Sequence, residues 1–229
     1  LAMVTGDEKY MDKPMKAFDA LEQLKNENGL YGTSVTNVKE KPERGHSYSL
    51  LTFGGNADSF YEYMLKLWLQ GDKHDTHYRE MYDESIDGLH DVLLSYSKPH
   101  GLAYVGMKND RGSRSSSSPI IDEMEHLACF MGGLLTLGAY TDPRGLDSEK
   151  AQRDLRTGKA LGYTCYQMYA STKTGLSPEV ASELESKKRQ YGYHGTAHAK
   201  KRIRRKTAKR KSSPLKKTKD DKDLSVKRG

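Results

Sequence analysis

The sequence predicts an all-α fold with short β-hairpins. In several long segments apolar residues recur every three or four positions, the pattern of amphipathic helices. Short runs rich in Tyr, Thr and Val, bounded by turn residues, separate these segments and favour strands. With 229 residues the chain is long enough for one domain with a hydrophobic core. Long helices that alternate with brief hairpins are typical of a helical barrel or toroid.

The N-terminal segment is predicted to form a helix followed by a hairpin. Residues 7–27 have the helical period, and Gly29 is a suitable residue to follow the helix end. Residues 30–38 are predicted to form a short strand, and residues 46–53 its partner strand across a charged turn.

Two helices are predicted next. The first begins at Asp58, and Ser59 with Glu62 fits a capping box. Its predicted apolar face consists of Phe60, Met64, Leu67 and Trp68. The second helix covers residues 74–96. Its predicted buried stripe consists of Tyr78, Met81, Tyr82, Ile86, Leu89 and Leu93.

The following segment combines one short strand, a serine-rich loop and two helices. Residues 102–107 are the predicted strand, and residues 108–119 the polar loop. Residues 123–139 are nearly all apolar after His126, which predicts a helix buried on most sides. Residues 147–169 predict another amphipathic helix.

Charge divides the chain into an acidic body and a basic tail. Residues 187–229 carry 18 of the 38 Lys and Arg residues but only 3 of the 31 Asp and Glu residues, a balance of +15. The first 186 residues therefore carry 20 basic and 28 acidic residues, a balance of −8. We predict a domain over residues 1–182 and a basic tail over 183–229 that buries too little surface to order itself. The chain starts at Leu1 rather than Met, and we interpret it as a fragment.

The residues alone leave two questions open. Cys129 and Cys165 permit either one disulfide or two free thiols. Asp58 follows a Gly-Gly turn at the start of an aromatic-rich helix, a setting that suits a polar, ring-stacking ligand such as a sugar. An ordinary acidic residue at a helix N-terminus explains Asp58 as well, since the helix dipole favours negative charge there.

Three sequence blocks together resemble glycosyl hydrolase family 47, the class I α-1,2-mannosidases of the secretory pathway. The resemblance covers about residues 1–180 and is carried by Gly54-Gly55-Asn56-Ala57-Asp58-Ser59-Phe60-Tyr61-Glu62-Tyr63, by Met124-Glu125-His126-Leu127-Ala128-Cys129-Phe130-Met131-Gly132-Gly133, and by Cys165-Tyr166-Gln167-Met168 with the later Gly175-Leu176-Ser177-Pro178-Glu179.

The resemblance implies specific roles for four residues. Asp58 matches an active-site carboxylate that acts as base or positions water, and Glu179 matches a second active-site acid. His126 matches a residue that lines the same pocket. Asn56 stands where the family often has Arg or Leu, at a position that selects the mannose branch. Asn fits neither group, so the branch preference stays open.

The resemblance also implies a disulfide, a compartment and a fold. The two cysteines match a pair that similar proteins join, which predicts a Cys129–Cys165 bond and an oxidising endoplasmic reticulum or Golgi lumen. A membrane anchor is possible in the full-length protein. The chain is expected to be a fragment of an (α/α)7 barrel.

The implied chemistry is inverting hydrolysis of α-1,2-linked mannose on high-mannose N-glycans. One carboxylic acid protonates the leaving oxygen and a second carboxylate activates water. The family also binds one calcium ion. The family's usual acid precedes Leu1, and its calcium-binding threonine would follow Glu179. No metal ligand is therefore assigned in this chain, and the fragment alone is expected to be inactive.

Two other function classes remain as alternatives. A family member without catalysis could act as a mannose-glycan-binding quality-control factor. The tail's Lys and Arg clusters could bind nucleic acid, but aromatic residues are few there, with Tyr191 and Tyr193 only at its start. Nucleic acid is therefore not the expected partner.

Overall fold

The computed structural model describes residues 1–34, 49–110 and 119–182. These residues form a helix-rich structure with short strands, as the sequence predicts. The tail over 183–229 lies outside the described residues, as do much of the predicted first hairpin and most of the serine-rich loop.

The N-terminal segment forms two helices, α1 (Ala2–Thr5) and α2 (Lys9–Glu22). Helix α2 is five residues shorter at its C-terminal end than the predicted helix over 7–27. Met15 and Phe18 pack against the core from this helix. The Phe18 ring stacks on Phe60 with centroids 5.4 Å apart, so aromatic contacts attach α2 to the rest of the fold.

The main sheet has three antiparallel strands in the order β1-β4-β5. Strand β1 (Ser49–Leu51) pairs with β4 (Met107–Asp110), which also pairs with β5 (Ile120–Ile121). The predicted partner of β1 was the segment 30–38. Among the described residues of that segment, Gly32 forms an antiparallel bridge with Leu51, and the Thr33 amide donates to the Leu50 carbonyl at 3.0 Å. The described end of the predicted hairpin therefore lies against β1, and residues 35–48 lie outside the described residues. The pairing of β1 with β4 was not predicted.

Helix α3 (Asp58–Gln70) begins where predicted but is capped differently. Its N-cap is Ala57, and no side chain caps the helix, so the Ser59–Glu62 capping box was wrong. Glu62 instead forms an ion pair with Lys66 one turn later, at 2.5 Å.

The buried face of α3 is wider than the predicted one. Met64 and Trp68 are buried as predicted, Phe60 and Leu67 are partly buried and pack against the core, and Tyr61 and Leu65 are buried as well. Tyr61 can be buried despite its polar hydroxyl, because that hydroxyl accepts a hydrogen bond from the Tyr31 amide at 3.0 Å. Burial raises the pKa of the Tyr61 phenol, which therefore stays neutral.

The predicted helix over 74–96 divides into three elements. Helix α4 (Thr76–Gly88) continues as a π-helical turn (Leu89–Leu93) and then as strand β2 (Leu94–Tyr96). All six residues of the predicted stripe are buried. The helix prediction was wrong for the last three residues because β2 pairs antiparallel with β3 (Ala103–Val105).

The predicted helix over 123–139 also divides. Strand β6 (Glu123–Glu125) leads into a 3₁₀ turn (His126–Phe130) and then helix α5 (Met131–Tyr140). Strand β6 pairs antiparallel with β7 (Val180–Ser182), and these backbone hydrogen bonds replace those of a helix at the start of the segment.

Helix α6 (Glu149–Ala170) agrees with the predicted helix over 147–169. The Ser148 side chain caps it by accepting a hydrogen bond from the Ala151 amide at 3.2 Å. Helix α6 packs along α5, where a Cβ on Gly132 would lie only 3.1 Å from the Gly158 carbonyl oxygen. The absence of a side chain there allows the two helices to approach closely.

A network of charged side chains connects α4 to α6 and to the loop between α5 and α6. The Asp142 carboxylate has a side-chain exposure of 1% and forms an ion pair with Arg144 at 2.8 Å. Asp87 lies between Lys150 at 2.5 Å and Arg153 at 2.7 Å. Desolvation raises the pKa of both carboxyl groups, but hydrogen bonds from these cations outweigh it, and each pKa lies below its ordinary value of 3.8.

This network predicts an acid-dependent loss of stability. A lowered carboxyl pKa in the folded state stabilises the protein fully above about pH 4 and progressively less as the pH falls through the folded-state value. Urea unfolding between pH 6 and pH 2.5 should show this decline. Asp142→Asn should reduce its slope, whereas Asp12→Asn on the exposed side of α2 should not. Equal slopes in the wild type and Asp142→Asn would contradict the prediction.

No helix among residues 1–34, 49–110 and 119–182 has the length and apolar character to cross a membrane.

Candidate active site

The candidate site is built on the turn that joins β1 to α3. Hydrogen bonds between its own residues stabilise the turn. The Gly54 amide donates to the Thr52 hydroxyl at 2.9 Å, and the Gly54 carbonyl accepts from the Asp58 amide at 3.0 Å. Asn56 lies at the exposed tip with φ +71°, a left-handed conformation that Asn adopts more readily than most residues. This backbone requirement accounts for Asn56 without any ligand.

Asp58 is the first residue of α3 and is partly exposed. Within the described part of the chain, its carboxylate has no hydrogen-bond or ion-pair partner. The N-terminal end of the helix dipole favours its negative charge. Asp58 is therefore available to accept hydrogen bonds from a ligand or to hold a water molecule.

Glu125 is the residue that sequence reasoning missed. Its Oε2 accepts a hydrogen bond from the Gly55 amide at 2.7 Å, which connects the last residue of β6 to the turn before Asp58. A Cβ on Gly54 would overlap the same carboxylate, so a side chain at that position would displace Glu125 from this contact. The Glu-Met-Glu sequence of residues 123–125 has the two-residue period of a strand and could have indicated this placement.

His126 and Glu179 lie side by side. The His126 amide donates to the Glu179 carbonyl oxygen at 2.7 Å, directly beside the β6–β7 pairing. The His126 Nε2 is 2.6 Å from the Tyr169 hydroxyl of α6, and the two rings make an edge-to-face contact. The Glu179 side chain is exposed and has no hydrogen-bond or ion-pair partner among the described residues.

A disulfide joins Cys129 and Cys165, with the Cα atoms 5.9 Å apart. The predicted pairing is therefore confirmed. The bond attaches the 3₁₀ turn that begins at His126 to helix α6, one turn before Tyr169.

The structure thus places the predicted residues in two groups, which the hydrogen bond between Glu125 and Gly55 joins. Asn56 and Asp58 belong to the turn, His126 and Glu179 belong to the β6–β7 region, and Glu125 connects the regions through Gly55. The carboxylates of Asp58 and Glu179, which have no partner in the described ranges, could serve acid–base chemistry or bind hydroxyl groups.

Two of the aromatic rings near Asp58, those of Phe53 and Tyr61, form core rather than a ligand surface. Phe53 stacks on Tyr61 with centroids 3.9 Å apart, and both side chains are buried. The sequence-based expectation of a ring-lined setting for a sugar is therefore not supported by these two rings.

A cavity of about 70 Å³ lies elsewhere, behind β6. Its lining includes Met124, Thr164 and Met168, and none of the predicted site residues. Side chains alternate along a strand, so Met124 faces this cavity while its neighbour Glu125 faces the turn.

The described ranges contain no group of three or more His, Cys, Asp or Glu side chains placed to hold a metal ion.

Comparison with known proteins gives a consistent result. A family model described as glycosyl hydrolase family 47 matches residues 1–222. A mannosyl-oligosaccharide 1,2-alpha-mannosidase of Candida albicans is 38% identical over 189 residues, which are 79% of this chain and 32% of the relative. The endoplasmic reticulum mannosyl-oligosaccharide 1,2-alpha-mannosidase of Saccharomyces cerevisiae is 35% identical and is aligned over 79% of this chain and 33% of its own length.

A solved structure shares the fold. The alpha-1,2-mannosidase from Trichoderma reesei superposes with a TM-score of 0.64 at 22% sequence identity, covering 87% of this chain and 38% of that chain. The chain spans about a third of the length of the curated relatives described above.

Proposed function

The chain belongs to glycosyl hydrolase family 47, a family of glycosidases, and from this membership we propose that it forms part of an enzyme that removes α-1,2-linked mannose from high-mannose N-glycans. The match over residues 1–222 carries the proposal. The names of the relatives support the linkage and the sugar, since they are mannosyl-oligosaccharide 1,2-alpha-mannosidases. The aligned share of each relative is about a third, so the proposal concerns a larger protein that contains this region.

We assign roles to the site residues within an inverting mechanism. Asp58 would accept a proton from water or position it for attack on the anomeric carbon, with Glu179 as a second acid of the site. His126 and Asn56 would contact the sugar hydroxyls. In support, the carboxylates of Asp58 and Glu179 have no partner among the described residues, and Glu125 connects their two regions.

We propose that the remaining two-thirds of the protein supply the general acid and close an (α/α)7 barrel. The successive helix contacts of α3 with α4 and of α5 with α6 support a barrel built from helix pairs. An inverting reaction needs both its acid and its base, each contributing about 10²–10⁴-fold. The 229-residue chain alone should therefore bind mannose without hydrolysing it.

Calcium remains an implication of the family for the larger protein. A calcium ion takes six to eight oxygen ligands, and the described residues show no suitable group of side chains.

The proposed location is the lumen of the secretory pathway. The relatives from Saccharomyces cerevisiae and Homo sapiens are named as endoplasmic reticulum enzymes. The Cys129–Cys165 bond fits an oxidising compartment.

The proposal is tested by titrating the chain with α-1,2-mannobiose and following the amide resonances of the turn by NMR. Asp58→Asn should weaken binding about tenfold, because a hydrogen bond to a charged group contributes about 1.5–3 kcal/mol. Asp12→Asn, an exposed residue of α2, serves as the control and should leave the affinity unchanged. Mannobiose should remain intact over the same period.

The binding and turnover results test mannose recognition, the role of Asp58 and the expected lack of catalysis separately. A folded chain that shows no saturable binding of α-1,2-mannobiose would contradict mannose recognition by this region. Equal affinity for the wild type and Asp58→Asn would contradict the role of Asp58. Turnover by the chain itself would show that its own residues suffice for catalysis.

A further inference from the structure

The contact between Glu125 and the Gly54–Gly55 turn joins chain segments 70 residues apart. Oε2 of Glu125 accepts the Gly55 amide proton at 2.7 Å, within the range of strong charge-assisted hydrogen bonds. Gly54 leaves the space that the carboxylate fills, since a Cβ there would overlap Oε2. The turn and the carboxylate therefore fit each other closely.

The backbone around Glu125 is held on both sides. Glu125 pairs with Val180 in the β6–β7 register, and the next amide, that of His126, donates to the Glu179 carbonyl. Met124 is 2% exposed and anchors the opposite face of the strand. These contacts give the Glu125 side chain a fixed starting point from which to reach Gly55.

The anchored amide is next to the residues that present the candidate site. Gly55 precedes Asn56, and two residues further on Asp58 begins α3. The internal bonds of the turn come from Thr52 and the Gly54 carbonyl, so Glu125 provides a contact from a separate element. Loss of this contact would release Gly55 and, with it, the orientation of Asn56 and the first turn of α3.

We infer that Glu125 is a positioning residue that fixes the turn carrying Asn56 and Asp58 relative to the β6–β7 region carrying His126 and Glu179. The functional part of this inference rests on the proposed role of Asp58. Glu125 acts through the Gly55 amide, and no contact of Glu125 with substrate is required. A negative carboxylate suits this task, because it accepts hydrogen bonds without needing a proton of its own.

The first experiment measures hydrogen exchange at the Gly55 amide in the full 229-residue chain by NMR. In the wild type this amide should exchange slowly for a surface turn. Glu125→Ala should accelerate its exchange at least tenfold, and Glu125→Gln should do so less, because the amide oxygen still accepts a hydrogen bond. The change should extend to Asn56 and Asp58 and leave the core of α4 unaffected.

Glu123→Gln provides the matched control. Glu123 lies on the same strand and face, two residues before Glu125. It should leave the exchange of Gly55 unchanged. If Glu125→Ala fails to fold, Glu125→Gln and the protection of Gly55 in the wild type still decide the question.

The second experiment compares mannobiose affinity with thermal stability. A positioning role predicts that mannobiose affinity falls in the order wild type, Glu125→Gln, Glu125→Ala, with a drop of about tenfold from Glu125→Gln to Glu125→Ala. The thermal unfolding midpoint of Glu125→Gln should equal that of the wild type. A structural role alone would lower the midpoint and leave the affinity of the folded protein unaltered.

The two experiments distinguish failure of the positioning role of Glu125 from failure of the proposed mannose binding. Rapid exchange of Gly55 in the wild type, or no change in the Glu125 variants, would overturn the positioning role. Unchanged mannobiose affinity in Glu125→Ala would overturn it as well. If the wild type binds no mannobiose, the proposed function fails, and the exchange of Asn56 and Asp58 alone decides whether Glu125 positions the turn.

Discussion

Replacing both Cys129 and Cys165 by alanine should lower the free energy of unfolding by about 4 kcal/mol. The bond closes a loop with a sequence separation of 36 residues, and loss of that constraint frees the unfolded chain by this amount. The loop includes all of α5 and most of α6. Urea unfolding of the oxidised wild type and the double variant measures the difference.

The disulfide variants should also affect the site. Cys129 belongs to the turn that starts at His126, and Cys165 precedes Tyr169 by one helical turn. Loss of the bond should increase the exchange of the His126 amide, while the turn at Gly55 changes less. Cys129→Ala alone should match the double variant, since one thiol cannot form the bond. An unchanged unfolding midpoint after reduction of the wild type would contradict the prediction.

Arg79→Met should lower the free energy of unfolding by about 3 kcal/mol. The Arg79 side chain is 4% exposed and forms ion pairs with Asp83 at 3.1 Å and Asp142 at 3.6 Å. It also donates to the Gly138 carbonyl at 3.1 Å. Removing one partner of a buried charge network typically costs about 3–5 kcal/mol, and the remaining ion pair of Asp142 with Arg144 favours the lower value.

The packing of Arg79 makes methionine the appropriate replacement. The guanidinium lies over the rings of Trp68, at 5.1 Å, and Tyr82, at 5.3 Å. Methionine retains apolar contact with these rings, so the measured loss reports mainly the missing charge and hydrogen bonds. Lys66→Met, which breaks an exposed ion pair with Glu62, is the control and should show no measurable loss. Equal midpoints for Arg79→Met and the wild type would refute the prediction.

The spacing of apolar residues predicted the helices correctly where no strand pairing competes with the helix. The stripe from Tyr78 to Leu93 is buried as expected. The start of α3 at Asp58 was also correct. In these segments apolar residues spaced three and four positions apart lie on one face of a helix, and that face packs into the core. The local sequence is therefore enough to predict both the helix and its buried residues.

Periodicity failed where another strand supplies the hydrogen bonds. Residues 123–125 were predicted to be helical, but β7 pairs with them as a strand. Residues 94–96 became strand for the same reason, through pairing with β3. The capping box at Ser59 failed because the N-cap is Ala57, two residues before Ser59.

The candidate site shows the same division. Family resemblance and the residue types were enough to select Asp58, His126, Glu179 and the cysteine pair, whose bond the structure confirms. Their roles in catalysis and binding stay predictions. Glu125 had no assigned role, because its local pattern can indicate a strand but not the amide 70 residues away to which its side chain bonds.

Sequence patterns in this chain identify the family and the principal helices and predict the site residues, because each depends on residue type or on neighbours within a few positions. Only the folded structure reveals that β6 pairs with β7, that His126 lies beside Glu179, and that Glu125 holds the turn before Asp58. These contacts join segments tens of residues apart, and backbone hydrogen bonding between them outweighs local preference. In the sequence, Gly54 and Gly55 are therefore only a small-residue motif. In the fold, they form the turn that binds the carboxylate of a residue far along the chain.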